Sequence, residues 1–125
     1  AVIGDGGYQM TIQELGTISQ LNLPVKIILL NNNFLGMVRQ WQKLFNKERY
    51  NETNNKRVMD FVKLCDAYQI PAKRVFTLSE LDDALKDRMK TEGPYLIEVM
   101  ISENEDVYPI VPPGKSISEY MVKPI

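Results

Sequence analysis

At 125 residues the chain is long enough for one domain with its own core, and 44% apolar with 25% charged residues is ordinary for a soluble globular protein. A formal net charge of −1 gives no field to attract nucleic acid or an acidic membrane, and no apolar run approaches the roughly 20 residues of a membrane helix. The absence of histidine excludes Ser-His-Asp and Cys-His schemes and most zinc sites, and the single cysteine, Cys65, excludes an internal disulfide and suits a reducing compartment.

Ala1-Val2-Ile3 reads as the end of a strand running into Gly4-Asp5-Gly6-Gly7. Strands usually have about 5–6 residues, so the chain reads as a piece of a longer polypeptide that begins inside this strand. The missing part could have carried a targeting signal, so the lack of one here proves little. Thr11-Ile12-Gln13-Glu14 predicts a capping box, with Thr11 as N-cap and Glu14 reaching back. Ile12, Leu15, Ile18 and Leu21 then recur at helical spacing, an apolar stripe facing a sheet. Asn22-Leu23-Pro24 ends that helix. Residues 25–30 read as a buried strand, and Asn31-Asn32-Asn33 leave its C-terminal end.

Residues 36–45 predict a helix with Met37, Val38, Trp41, Leu44 and Phe45 along one side. Residues 46–56 are polar and aperiodic, hence a loop. Val58, Phe61, Val62, Cys65 and Tyr68 mark the next helix, which Pro71 ends before a short strand near 74–76. Ser79 with Asp82 makes a weaker cap for a helix carrying Leu81, Ala84, Leu85 and Met89, and Gly93-Pro94 stops it. Residues 95–101 are the last strand. The tail, with Pro109, Pro112, Pro113 and Gly114, reads as an irregular arm with a short helix near 117–121. Strands alternating with helices predict an α/β fold: a parallel sheet with helices on both faces. The expected division is an α/β domain over 1–101 and a C-terminal arm over 102–125.

A strand, a glycine turn and a helix bring backbone N–H groups and a helix dipole to a place where phosphate can bind. Asp5 would repel a bare phosphate, and a divalent cation between the two removes the conflict. In an open parallel sheet, ligands bind outside the carboxyl ends of the strands, where both polar clusters fall. Residues 7–30 separate Gly6 from Asn31, room for one turn, one helix and one return strand, so the two loops should lie side by side. The bland alternative is a tight turn and an unrelated polar loop. Cys65 reads as a buried inert thiol, Arg39 as a solvated side chain, and Glu103-Asn104-Glu105-Asp106 as a solvated acidic turn. A nucleotide-binding module would need a third glycine where Gln9 stands; Gly114-Lys115-Ser116 lacks the upstream glycine of a phosphate loop, with Pro109 in its place.

Gly4-Asp5-Gly6 followed by Asn31-Asn32 at this spacing resembles the diphosphate-binding signature of thiamine diphosphate enzymes. Gln9-Met10-Thr11-Ile12-Gln13-Glu14-Leu15 and Leu35-Gly36-Met37-Val38-Arg39-Gln40-Trp41-Gln42 narrow it. With Tyr108-Pro109 and Pro112-Pro113-Gly114-Lys115, they resemble the C-terminal part of the acetolactate synthase (acetohydroxyacid synthase) catalytic subunit over nearly the whole chain. Gly7 and Tyr8 depart mildly from that family's usual Ser and Phe.

The resemblance implies Mg²⁺ held by side-chain oxygens of Asp5 and Asn32 and by the main-chain carbonyl of Phe34. It implies that Gly6 and Gly7 N–H groups meet phosphate oxygen, within a cofactor-binding set of Gly4, Asp5, Gly6, Gly7, Asn32, Leu35, Gly36 and Met37. Met37 would lie near the thiazolium ring, and Trp41 would contact the acceptor substrate. The activating glutamate belongs to another domain on a partner subunit, so this stretch would hold no catalytic residue and would be inactive alone. The family's FAD also binds elsewhere. Implied substrates are pyruvate and 2-oxobutyrate, condensed for branched-chain amino acid synthesis. A homodimer or tetramer, a regulatory small subunit, and a cytoplasmic, plastid or mitochondrial location follow from the same resemblance. The competing member of the cofactor class is a 2-oxo acid decarboxylase or oxidase.

Overall fold

A computed structural model describes residues 1–55, 59–88 and 90–123. Strand β1 (Val2–Gly4) runs directly into helix α1 (Asp5–Gln9), followed by α2 (Glu14–Gln20) and β2 (Lys26–Asn31). Helices α3 (Gly36–Phe45) and α4 (Phe61–Ala67) precede β3 (Ala72–Val75), α5 (Leu78–Arg88) and β4 (Tyr95–Met100), and a 3₁₀ turn covers Ile117–Glu119. The four strands form one parallel sheet in the order β1-β2-β4-β3. Gly4 pairs with Leu30, Asn31 with Met100 and Val75 with Val99, so all four carboxyl ends meet along one edge.

Successive strand residues point to opposite faces, and the two cores divide that way. Leu96 packs with Ile27 and Leu29 under Tyr8 of α1, Leu15 of α2, and Phe61 and Cys65 of α4. Its neighbour Ile97 packs with Val75 and Tyr95 under Ala84 of α5. Helices therefore cover both faces, the expected α/β layering. Among the described residues, no helix is long and apolar enough to cross a membrane.

Several boundaries depart from the sequence reading. The Thr11 capping box does not form. The chain is helical from Asp5, and residues 10–13 make successive turns in which the Thr11 N–H donates to Tyr8 O (3.1 Å) and Thr11 O accepts from Glu14 N–H (3.1 Å). Gln13, not Thr11, precedes α2, and no side chain caps it. The α5 cap lies two residues earlier than Ser79: Thr77 Oγ1 accepts from Glu80 N–H (3.2 Å), and Glu80 Oε2 accepts from Phe76 N–H (2.7 Å). Strand β3 begins directly after Pro71, earlier than expected. Gly93 sits at φ +80, where a Cβ would be strained and would also meet Asn22 Oδ1 at 2.7 Å, so glycine is required at this stop. Val58, Met89 and Lys56 lie outside the described residues. After β4, Ile110 and Met121 exchange two backbone hydrogen bonds (3.0 and 2.8 Å), and a capping box formed by Ser116 and Glu119 closes the 3₁₀ turn.

The carboxyl edge carries an ionic cluster. Arg74 of β3 donates to Glu98 Oε2 (2.7 Å) and to Asp60 Oδ1 (2.9 Å), and Asp60 also caps α4 through Lys63 N–H (3.3 Å). Burial works against ionisation of Asp60, but the Lys63 N–H and the Arg74 guanidinium outweigh it and hold its pKa below the ordinary 3.8. A carboxyl with a lowered folded pKa contributes stability above its unfolded pKa and loses it as pH falls through the folded value. Asp60→Asn is therefore expected to cost about 1 kcal/mol at neutral pH. That difference from wild type should shrink below about pH 4 in urea unfolding.

Candidate functional site

The groove above the β1 and β2 ends is built by two short peptide segments. Asp5 opens α1 immediately after β1, and residues 31–34 leave β2 beside it. Asp5 is only 2% exposed, and its Oδ2 is fully buried with no hydrogen-bond partner. Burial raises its pKa, offset in part by the Asn55 amide and by N–H groups of Asp5, Gly6 and Asn32. Asn55 Nδ2 leans toward this carboxylate without completing a bond and is likewise buried and partnerless.

The neighbouring loop is held from both ends. Asn32 Oδ1 accepts the Phe34 N–H at 3.0 Å, which fixes the oxygen and leaves it further acceptor capacity. Asn31 turns the other way: its Nδ2 donates to Glu98 Oε1 (2.7 Å) and its Oδ1 accepts the Asn33 N–H (2.8 Å). Residues 33–35 pair antiparallel with 53–55, through Leu35 N–H to Thr53 O (2.9 Å) and Asn55 N–H to Asn33 O (2.7 Å). The aperiodic polar stretch thus braces this loop, a role its sequence does not advertise.

Gly6 and Gly7 are helical rather than in a left-handed turn. At Gly6 the approach is close: a Cβ would lie 2.6 Å from Leu35 Cδ2, and that side chain would have to shift. The N–H groups of a first helical turn have no intrahelical acceptor; here those of Asp5 and Gly6 turn to the Asp5 carboxylate.

A groove of about 450 Å³ joins these parts, lined by Gly4, Asp5, Gly6, Gly7, Asn32, Phe34, Leu35, Gly36 and Met37 together with Met10, Val38, Gln40, Ile101 and residues 105–107. Every residue expected to touch cofactor or metal therefore borders one space. Trp41 does not; it borders a separate apolar depression of about 390 Å³ with Met37 and Val38. The donors suit a hard cation: a buried carboxylate oxygen lacking a partner and, on the same groove, the Asn32 amide oxygen. Among the described residues no cluster of three His, Cys, Asp or Glu side chains could hold a metal, so a ligand's own oxygens would complete the shell. The residues present fit Mg²⁺ bridging to a diphosphate.

Helix α3 corrects one expectation. Its apolar side faces outward, with Met37 48% and Trp41 41% exposed, so both are free of the core. Arg39, expected in solvent, is 8% exposed. Its guanidinium stacks over Phe34 (5.0 Å) and Tyr50 (4.5 Å) and donates to Glu103 O (2.9 Å) and Asn104 Oδ1 (3.2 Å). Gln40 exchanges two hydrogen bonds with the Val107 backbone (2.8 and 3.0 Å), and Lys43 pairs with Asp106 at 2.6 Å. The acidic run 103–106 is thus tied to α3 rather than freely solvated. Cys65 is fully buried beside the Tyr8 hydroxyl (3.6 Å), and burial raises its pKa, as an inert thiol requires. Sequence reasoning missed Glu98, Asn55 and the Arg39–Gln40 pair. A lone acid inside the apolar run Tyr95–Met100 was the available signal for Glu98.

Residues 1–99 match the family described as thiamine pyrophosphate enzyme, C-terminal TPP binding domain. The chain is 46% identical over 122 residues to the acetolactate synthase isozyme 2 large subunit of Escherichia coli K12, covering 98% of this chain and 22% of that protein. It is 44% identical over 119 residues to the mitochondrial acetolactate synthase of Schizosaccharomyces pombe, covering 95% of this chain and 18% of that one. Among solved structures, the thiamine diphosphate-dependent 4-hydroxybenzoylformate decarboxylase of Rhodococcus jostii RHA1 aligns with a TM-score of 0.75 at 32% identity, over 81% of this chain and 19% of that one. The chain spans about a fifth of the length of the curated relatives it matches.

Proposed function

Because this chain belongs to the C-terminal TPP-binding domains of thiamine pyrophosphate enzymes, we propose that it is the Mg²⁺–thiamine diphosphate-holding segment of an acetolactate synthase. The observation that carries the reading is Asp5 Oδ2, buried and partnerless in the groove it shares with Asn32. A buried carboxylate oxygen without a partner costs free energy, and a bound dication would relieve it.

In this reading Asp5, Asn32 and the Phe34 carbonyl would hold Mg²⁺. The N–H groups of Gly6 and Gly7 would meet the diphosphate, and Leu35, Gly36 and Met37 would line the cofactor's groove. The bound cofactor supplies a carbanion-stabilising thiazolium for decarboxylation of pyruvate and condensation with a second 2-oxo acid. The chain's own part is binding, orientation and exclusion of water; the residue that activates the cofactor would come from another domain, so the segment alone would be inactive. Residues 1–101 would form the cofactor domain, with 102–125 as an arm over the groove. The parent would carry FAD elsewhere, assemble as a dimer or tetramer, accept a regulatory small subunit, and work in the cytoplasm or, in a eukaryote, an organelle.

Calorimetric titration of the protein in its native length with thiamine diphosphate, with and without Mg²⁺, tests the first part. Product analysis with pyruvate tests the second. Metal-dependent binding and acetolactate are expected. Acetaldehyde, acetate or acetyl phosphate instead would move the protein to the decarboxylases or oxidases; the likeness to the Rhodococcus decarboxylase is what keeps a decarboxylase as the second reading. Binding of ATP with no metal-dependent response to thiamine diphosphate would overturn the whole assignment.

Trp41 separates substrate contact from packing. It is half-exposed and meets Phe45 edge-on at 5.8 Å. Trp41→Leu is expected to cost no more than about 1 kcal/mol of stability while raising KM for the acceptor 2-oxo acid several-fold. Steady-state kinetics with pyruvate and 2-oxobutyrate beside urea unfolding reads both.

A further inference from the structure

We infer that Glu98 is a positioning residue for the metal loop, acting through Asn31; the inference rests on the metal site proposed above. Glu98 lies on the central strand β4 and is 0% exposed. Both its oxygens are engaged: Oε1 accepts from Asn31 Nδ2 (2.7 Å) and Oε2 from Arg74 Nε (2.7 Å). A side-chain amide has two ends of nearly equal size, one donor and one acceptor, and its neighbours decide which way it faces. A carboxylate only accepts, so Glu98 compels the Asn31 NH₂ to face β4. The Asn31 oxygen is then turned to the only position from which it accepts the Asn33 N–H, at 2.8 Å.

That bond closes a side-chain turn over Asn32, and Asn33 sits at φ 60, the left-handed region that asparagine tolerates when its backbone is locally satisfied. The next bond in the chain is Asn32 Oδ1 to Phe34 N–H at 3.0 Å. Glu98 thus sets the amide of Asn31, which sets the turn at Asn33, and that turn holds Asn32 and Phe34, which border the same groove as Asp5. Arg74 supplies the compensating charge that lets a carboxylate stand at a fully buried place. A glutamine at 98 could offer its own NH₂ and allow the Asn31 amide to reverse.

The test compares Glu98→Gln with Val75→Ala, a buried change in the opposite core that does not touch Asn31. In the native-length protein, Glu98→Gln should weaken Mg²⁺ affinity about tenfold, the range found for groups that orient metal ligands. In metal-free protein it should also raise the hydrogen-exchange rate of the Asn33 amide by about tenfold. Val75→Ala should lower the unfolding midpoint and change neither. Asn31→Ala should reproduce the Glu98→Gln losses, and the double variant should be no weaker than the worse single. If Glu98→Gln does not fold, Asn31→Ala with the same two readouts decides. Wild-type Mg²⁺ affinity and wild-type Asn33 exchange in either variant overturn the inference. A wild-type protein that binds no Mg²⁺ with thiamine diphosphate would instead overturn the proposed site, while the metal-free exchange measurement still judges the role of Glu98.

Discussion

Asp5→Asn is expected to lower Mg²⁺-dependent thiamine diphosphate affinity on the order of 100-fold or more while leaving the fold standing. Among the described residues, Asp5 is the carboxyl group that the strand ends bury in the groove without a partner for one of its oxygens. An amide keeps the size and one acceptor but surrenders the charge that draws a dication. Without ligand, the variant should match the wild type or exceed it by about 1 kcal/mol, because an incompletely satisfied buried charge is gone. With cofactor and metal at a hundred times the wild-type dissociation constant, the wild type should gain about 2.7 kcal/mol and the variant no more than about 0.4 kcal/mol. Differential scanning calorimetry with and without ligand gives both numbers. Equal ligand stabilisation in the two proteins would remove Asp5 from the site.

Arg39→Met is expected to cost about 3 kcal/mol of stability. A desolvated guanidinium on an aromatic face contributes about 1–2 kcal/mol, and each hydrogen bond from a charged donor about 1.5–3. Arg39 has two rings and two acceptors, and methionine recovers only part of the packing. The loss should be local as well as global. Amides of 103–106 should exchange faster, whereas Val107, held separately by Gln40, should keep more of its protection. A cost below about 1 kcal/mol would return Arg39 to the solvated arginine that its sequence position suggests.

The contrast between these residues shows where sequence reading succeeds. Helix α3 occupies the predicted residues because periodicity and the flanking loops bound it. Its orientation was not legible. A stripe of Met37, Val38, Trp41 and Phe45 looks like the side that faces a sheet, yet α3 packs its polar side onto loops, where Arg39, Gln40 and Lys43 satisfy backbone and acidic groups. Asp5 and Asn32 could be paired on paper because one βαβ unit puts consecutive strands side by side. Glu98 could not, since its partners on β2 and β3 depend on β4 inserting between those strands, an order that local patterns do not encode. The brace over 53–55 was hidden because it uses backbone groups, which every residue possesses.

The outward apolar ridge of α3 changes how this molecule must be handled. Environment-sensitive fluorophores that report melting by lighting up on greasy surface will find Met37, Val38, Trp41 and Phe45 in the native state. A bright baseline from such a probe signals an intact polypeptide rather than a denatured one, and circular dichroism is the sounder gauge of its melting.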